Sequence, residues 1–172
     1  MFSKSINAAK VIKADKFVIQ YTGRVLDLKL YDASLLCEAL HNLDKNGIIS
    51  ENKFSVKFNT DENSAIRIRK LFSRFSVEKY LNICNFVPQN EVPSLLNESS
   101  IVLVLTNKMD KNGPKGIMTT KFFEALAVKK PILCVRSDEA YLENLIVKTQ
   151  SGIAARRVEE VENFIIKQFH IF

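Results

Sequence analysis

Two stretches of this 172-residue sequence place charged and hydroxyl side chains where they could handle a phosphorylated ligand. The first is Gly113-Pro114-Lys115-Gly116-Ile117-Met118-Thr119-Thr120-Lys121-Phe122-Phe123-Glu124-Ala125-Leu126-Ala127, a glycine-containing loop that runs into an apolar helix. Such a helix start presents free backbone N–H groups and the positive end of the helix dipole, which suits an anion. Thr119 or Thr120 can cap the helix and offer a hydroxyl to phosphate, although a plain N-cap accounts for the same residues. Glu124 is the only carboxylate among Phe, Ala and Leu neighbours. A capping box would need Ser or Thr at position 121, which is Lys, so Thr120 is off register. An unpaired carboxylate on a buried helix is costly. Glu124 is therefore expected to face a cleft or a ligand, where it could accept two hydroxyl hydrogen bonds at once, as adjacent ribose hydroxyls require. Dipole compensation in the first helical turn, worth about 0.3–1 kcal/mol, is the competing account.

The second stretch is Gly23-Arg24-Val25-Leu26-Asp27-Leu28-Lys29, just past a strand. The Arg24 guanidinium and the Lys29 ammonium could both reach a diphosphate there. An ordinary solvated loop has the same composition. Neither G-x-G-x-x-G nor G-x-x-x-x-G-K-S/T occurs, so the dinucleotide fingerprint and the P-loop are both missing. The two histidines, His41 and His170, and the three cysteines, Cys37, Cys84 and Cys134, are scattered. They build neither a nucleophilic triad nor a zinc site, and no metal site is expected. Asp138-Glu139 could touch a sugar but fits a helix start equally well.

The net charge of +6 favours an anionic partner. The basic residues are dispersed rather than blocked, which weighs against nucleic acid. No apolar run approaches the roughly 18 residues of a membrane span, and the first residues lack the apolar core of a secretory signal. Sparse, unpaired cysteines suit a reduced, cytoplasmic chain.

The elements that must position these groups alternate. Strands are expected at 17–22, 54–58, 80–86, 101–105, 131–135 and 152–155. Helices are expected at 34–43, 63–75, after 89 through Leu96, at 120–128, 140–148 and 158–169. Ile101-Val102-Leu103-Val104-Leu105 is unbroken and apolar, as a strand buried on both faces would be. Asn46-Gly47 closes the first helix. The alternation predicts an α/β fold, a doubly wound, Rossmann-like parallel six-stranded sheet with helices on both faces. Ligands of such sheets sit at the carboxyl ends of the strands, near Thr22, Phe86, Leu105 and Val135.

Taken together, these residues resemble the donor-binding domain of GT-B glycosyltransferases, the group 1 (family 4-like) enzymes that build polysaccharides from nucleotide sugars. Tyr21-Thr22-Gly23-Arg24 with Lys29 is similar to the family's opening G-R…K element. Phe86-Val87-Pro88-Gln89-Asn90-Glu91-Val92-Pro93-Ser94-Leu95-Leu96 resembles its G-x-V-P-x-x-E-V-P-x-L-L turn and helix, and Glu98-Ser99-Ser100-Ile101-Val102-Leu103 its x-A-D-I-x-L strand. The stretch from Lys115 to Leu133 is similar to K-G-x-x-x-x-K-x-x-E-x-L-A-x-x-K-P-I-L. The likeness runs from about Phe17 to the end of the chain.

The resemblance implies the C-terminal half of a GT-B fold, with 1–16 a lead-in or interdomain segment and 17–172 the donor-binding domain. Arg24 and Lys29 would bind the donor diphosphate and stabilise the leaving nucleotide. Met118, Thr119 and Thr120 would contact phosphate, Glu124 would hold the ribose, and Gly23 with the backbone near Phe86 and Val87 would complete the donor site. The substrate would be a UDP- or GDP-sugar, with no tightly bound cofactor. The acceptor-binding domain would be a separate, N-terminal partner, without which the domain would transfer nothing. The helix from Val158 is expected to offer apolar residues to that partner. The full-length protein could lie at the inner face of a membrane. Two positions depart from the family pattern. Gly116 stands where the first Glu of a paired E-x7-E motif would be, and Thr120 stands where Gly is frequent. The alternative is a non-enzymatic nucleotide-binding or receiver-like module.

Overall fold

The computed structural model describes residues 15–28, 31–106, 119–135 and 140–172. Every strand in it is short, and three of the six are buried throughout. β1 (Phe17–Thr22) is buried along its whole length, as are β4 (Ile101–Leu105) and β5 (Ile132–Val135). Continuous burial requires cover on both faces, and helices supply it. With β2 (Phe54–Asn59), β3 (Leu81–Cys84) and β6 (Gly152–Ala155) they form one parallel sheet in the order β3-β2-β1-β4-β5-β6.

Strand alternation divides the core in two. Phe17, Ile19 and Tyr21 of β1 point to one face with Phe54, Val56 and Phe58 of β2. Onto that face pack α1 (Ser34–Lys45), α2 (Glu62–Arg74) and α6 (Val158–Ile171). Val102 and Val104 of β4 point the other way with Ile132 and Cys134, under α3 (Val92–Asn97), α4 (Thr120–Ala127) and α5 (Ala140–Thr149). This is the expected doubly wound architecture.

One expectation needs correction, and another holds only in part. Residues 78–80 form a 3-10 turn rather than the start of β3, and Tyr80 is buried with its hydroxyl donating to Asp44 Oδ1 at 2.6 Å. An apolar ring in a short run has the same pattern whether it begins a strand or plugs a turn. Most of the apolar face of α6 is used inside this domain. Val161 and Ile165 are buried, and Phe169 and Phe172 meet Phe17 edge-on at 5.4 and 5.5 Å. Ile171 and Phe172 stay exposed, so the end of the helix does offer apolar residues outward.

The end of α1 is closed as the Asn46-Gly47 pair suggests. Gly47 has φ 68°, its N–H donates to Asp44 O, and the Ile48 N–H donates to Leu43 O, both at 2.9 Å. These two bonds make a Schellman motif. A Cβ on Gly47 would touch nothing. Gly47→Ala is therefore expected to destabilise by about 1 kcal/mol through backbone conformation alone, as read by urea unfolding. No loss would mean that the turn rearranges freely.

Candidate functional site

The chain leaves the centre of the sheet in two directions. From β1 it goes to β2 and β3, and from β4 to β5 and β6. A crevice opens where the connections diverge, outside the carboxyl ends of the strands. Gly23 lies on its floor directly after β1 with φ 115°, a conformation that favours glycine. The Gly23 N–H donates to Asn59 O at 3.0 Å. Asn59, buried at the end of β2, accepts from Gln20 Nε2 at 2.9 Å and donates from Nδ2 to Asn85 O at 3.0 Å. These bonds tie the ends of β1, β2 and β3 into one rigid rim. Asn59→Ala is expected to lower stability by roughly 1–3 kcal/mol, because the Asn85 carbonyl loses its donor and Gln20 Nε2 keeps only the Tyr21 and Lys57 carbonyls as acceptors. A denaturation midpoint equal to that of the unchanged protein would show the tie to be idle.

Opposite this rim stands α4. Thr119 is its N-cap, and its hydroxyl accepts from the Lys121 N–H at 3.4 Å. Thr120 is the first helical residue and is exposed. Glu124 is the fifth helical residue, past the first turn, where the dipole's effect has faded. Dipole compensation therefore does not account for it.

A cleft of about 240 Å³ lies between the rim and α4. Thr22, Gly23 and Asn59 line it from the strand ends, and Phe86, Val87, Gln89 and Val92 from the connection after β3. Lys121 and Glu124 line it from α4. Of the residues expected from the sequence, Gly23, Phe86, Val87 and Glu124 meet here. Thr119 and Thr120 sit at the helix start without lining the cleft. Arg24 is exposed outside it, with Nε 3.8 Å from Asp61 Oδ2. Asp61 caps α2, and Ser64 Oγ accepts from the Val25 N–H at 2.8 Å, so α2 holds the first part of the Arg24 loop. Lys29, Met118 and Gly116 lie outside the described residues.

Lys121 was not singled out from the sequence as a ligand-binding residue. A Cβ on Gly23 would come within 2.7 Å of Lys121 Cε and Nζ, so the absence of a side chain at 23 makes room for this lysine. Its Nζ lies 5.8 Å from the centre of the Tyr21 ring. The ammonium forms no ion pair or hydrogen bond with a described residue. Burial holds its pKa below the usual lysine range, and Glu124 partly opposes that. The signal in the sequence was the Lys-x-x-Glu spacing, which puts both side chains on one helix face. A half-buried cation and a carboxylate thus share one small cleft. The cation suits a phosphate, and the carboxylate suits a pair of hydroxyls.

No protein-family model and no curated protein matches the chain. Solved structures do. WaaG, a glycosyltransferase involved in lipopolysaccharide biosynthesis, matches 92% of this chain with a TM-score of 0.61 at 14% identity. The domain has the fold of one half of a GT-B glycosyltransferase. Anabaena HepE, solved in complex with UDP, matches 90% of the chain with a TM-score of 0.61 at 17% identity. The Methanocaldococcus jannaschii UDP-GlcNAc 2-epimerase, solved with UDP-GlcNAc and UDP, also matches 90%, with a TM-score of 0.56 at 14% identity. The chain spans 39% of each of these three proteins. The GT-B-like strand order also differs from the 2-1-3-4-5 order of receiver-type sheets, so the receiver-like alternative does not fit. Among the described residues of the GT-B-like domain, no helix is long and apolar enough to cross a membrane.

Proposed function

We propose that this chain is the nucleotide-sugar donor-binding domain of a glycosyltransferase that transfers a sugar to a growing polysaccharide or glycan acceptor. The acceptor would be held by another domain. The observation that carries this reading is the pairing of Lys121 and Glu124 across from Gly23 in one cleft at the switch point of the sheet. In this reading Glu124 accepts the two ribose hydroxyls, and the backbone of Phe86 and Val87 meets the base. Lys121, whose ammonium is already desolvated, faces the diphosphate. Gly23 lets the phosphates approach the backbone closely. Arg24 leaves its long, exposed pairing with Asp61, which contributes little, and turns to the diphosphate at the cleft mouth. With Lys29 it offsets the negative charge that builds on the departing nucleotide. Thr119, Thr120 and Met118 add phosphate contacts at the start of α4.

Calorimetric titration with UDP, GDP, UDP-glucose and GDP-mannose tests the reading. One nucleotide is expected to bind in preference to the other. Glu124→Ala is expected to weaken that nucleotide about tenfold and its 2′-deoxy analogue much less, as two lost hydroxyl bonds require. Equal weakening of both forms would remove Glu124 from the ribose. Absence of binding to every nucleotide by the folded chain would overturn the donor-site assignment.

A further inference from the structure

A second cavity lies away from the cleft, along the edge of the sheet at β6. Among the described strands only β5 pairs with β6. The Ile132 N–H donates to Ser151 O at 2.8 Å, and the parallel register sets Ile132 beside Gly152 and Cys134 beside Ala154. In a parallel ladder of this register the odd-numbered residues of β6 bond to β5. The N–H and C=O groups of Gly152 and Ala154 therefore point outward. They form the floor of a groove of about 910 Å³ walled by α5 on one side and α6 on the other. Val147 of α5 is 69% exposed on one wall, and Phe164 of α6 lines the other. Edge strands are usually guarded by a charge, a proline or a bulge. Gly152-Ile153-Ala154-Ala155 carries no charge and no proline.

The two ends of the groove differ in charge. Lys129 and Lys130 precede β5, and α6 runs back to bring Lys167 to the same end. None of the three makes an ion pair with a described residue. At the other end Glu143 and Glu160 are matched by Arg156 at 2.6 Å and Arg157 at 2.8 Å. Positive charge is thus uncompensated at one end only.

We infer that this groove docks an extended acidic segment of a partner protein, which adds to β6 as a further strand and sets its carboxylates on Lys129, Lys130 and Lys167. Main-chain bonds to Gly152 and Ala154 would hold the strand, and the lysines would select its charge. Residues 1–14 do not match, since they carry Lys4, Lys10 and Lys13 and no carboxylate. A second copy does not match either, because the strand it would offer, Gly152-Ile153-Ala154-Ala155, carries no carboxylate for the three lysines and is followed by Arg156 and Arg157. The inference is independent of the nucleotide reading.

The test selects binders from a displayed library of random peptides on the folded chain, with counter-selection on Ala154→Pro. Proline at this outward position removes no bond to β5, so the variant should fold, and thermal unfolding checks this. The expected peptides are extended and acid-rich. Their synthetic forms should bind at least about tenfold more weakly to Ala154→Pro and to the surface variant Lys129→Glu with Lys167→Glu. The amides of Gly152 and Ala154 should become protected from hydrogen exchange on binding. Failure to enrich, enrichment of basic or neutral peptides, or binding unchanged in both variants would overturn the proposal. Concentration-dependent dimerisation abolished by Ala154→Pro would overturn it in favour of a second copy.

Discussion

Lys121→Met is expected to weaken nucleotide diphosphate binding by one to two orders of magnitude while leaving the free protein as stable as before or more so. The two effects have opposite signs for one reason. In the free domain the Lys121 ammonium is half-buried beside Gly23 and Tyr21, with no anionic partner in hydrogen-bonding reach among the described residues. Desolvation of an unpaired charge destabilises, so methionine of similar length relieves it. A bound diphosphate supplies the missing partner, and a charge-assisted hydrogen bond of about 1.5–3 kcal/mol then favours the complex. Calorimetry for binding and urea unfolding for stability separate the two. A structural lysine would lose stability and leave binding alone, which would remove Lys121 from the site.

A pH-dependent contribution to stability follows from the same residue. Lys121 binds its proton less tightly when folded than when unfolded. Between its lowered pKa and the ordinary lysine value this residue is protonated more in the unfolded chain than in the folded one, so its own contribution to stability rises with pH across that window. Other groups act in the opposite sense. Burial pushes the Tyr21 and Tyr80 phenols and the Cys37 thiol well up, so they keep their protons when folded and lose them when unfolded, which lowers stability as pH rises. The lysine's part is therefore read as the difference between the pH profiles of the unchanged protein and Lys121→Met. A diphosphate raises the lysine pKa again, so binding near the lowered value is expected to take up a proton. Calorimetry in buffers of different ionisation enthalpy reads this uptake, which Lys121→Met should abolish.

Gly152→Val is the second large effect, and it concerns stability alone. A side chain at 152 would overlap the Ile132 carbonyl oxygen, which is backbone and cannot swing aside. Ile132 lies within buried β5, so relief requires β6 to move off the sheet. The expected loss is about 3 kcal/mol or more, a large part of the roughly 5–15 kcal/mol that holds a typical domain together. Gly47→Ala, where the added methyl meets open space, provides the internal contrast at about 1 kcal/mol. A comparable loss at both positions, read from urea unfolding, would mean that β6 is not pressed against β5.

Much of this protein was legible in its sequence because burial on both faces leaves a plain record. Ile101-Val102-Leu103-Val104-Leu105 reads as a strand covered on both faces, and Asn46-Gly47 after an amphipathic stretch reads as the end of a helix. The alternation of such runs dictates the doubly wound sheet. Glu124 was legible too, because a carboxylate among Phe, Ala and Leu must have somewhere polar to face. Tertiary structure alone determined which of the candidate groups meet. Lys121 appeared in the sequence as a flaw in a capping box. It became a cleft residue because Gly23, nearly a hundred positions earlier, leaves the space its ammonium occupies. Arg24 appeared beside Gly23 in sequence, yet past the backbone turn at Gly23 its side chain lies outside the cleft. Sequence spacing determines the elements and their buried faces, since those depend on neighbours three or four residues apart. The site depends on the order in which strands pair, and that order is set by packing across the whole sheet.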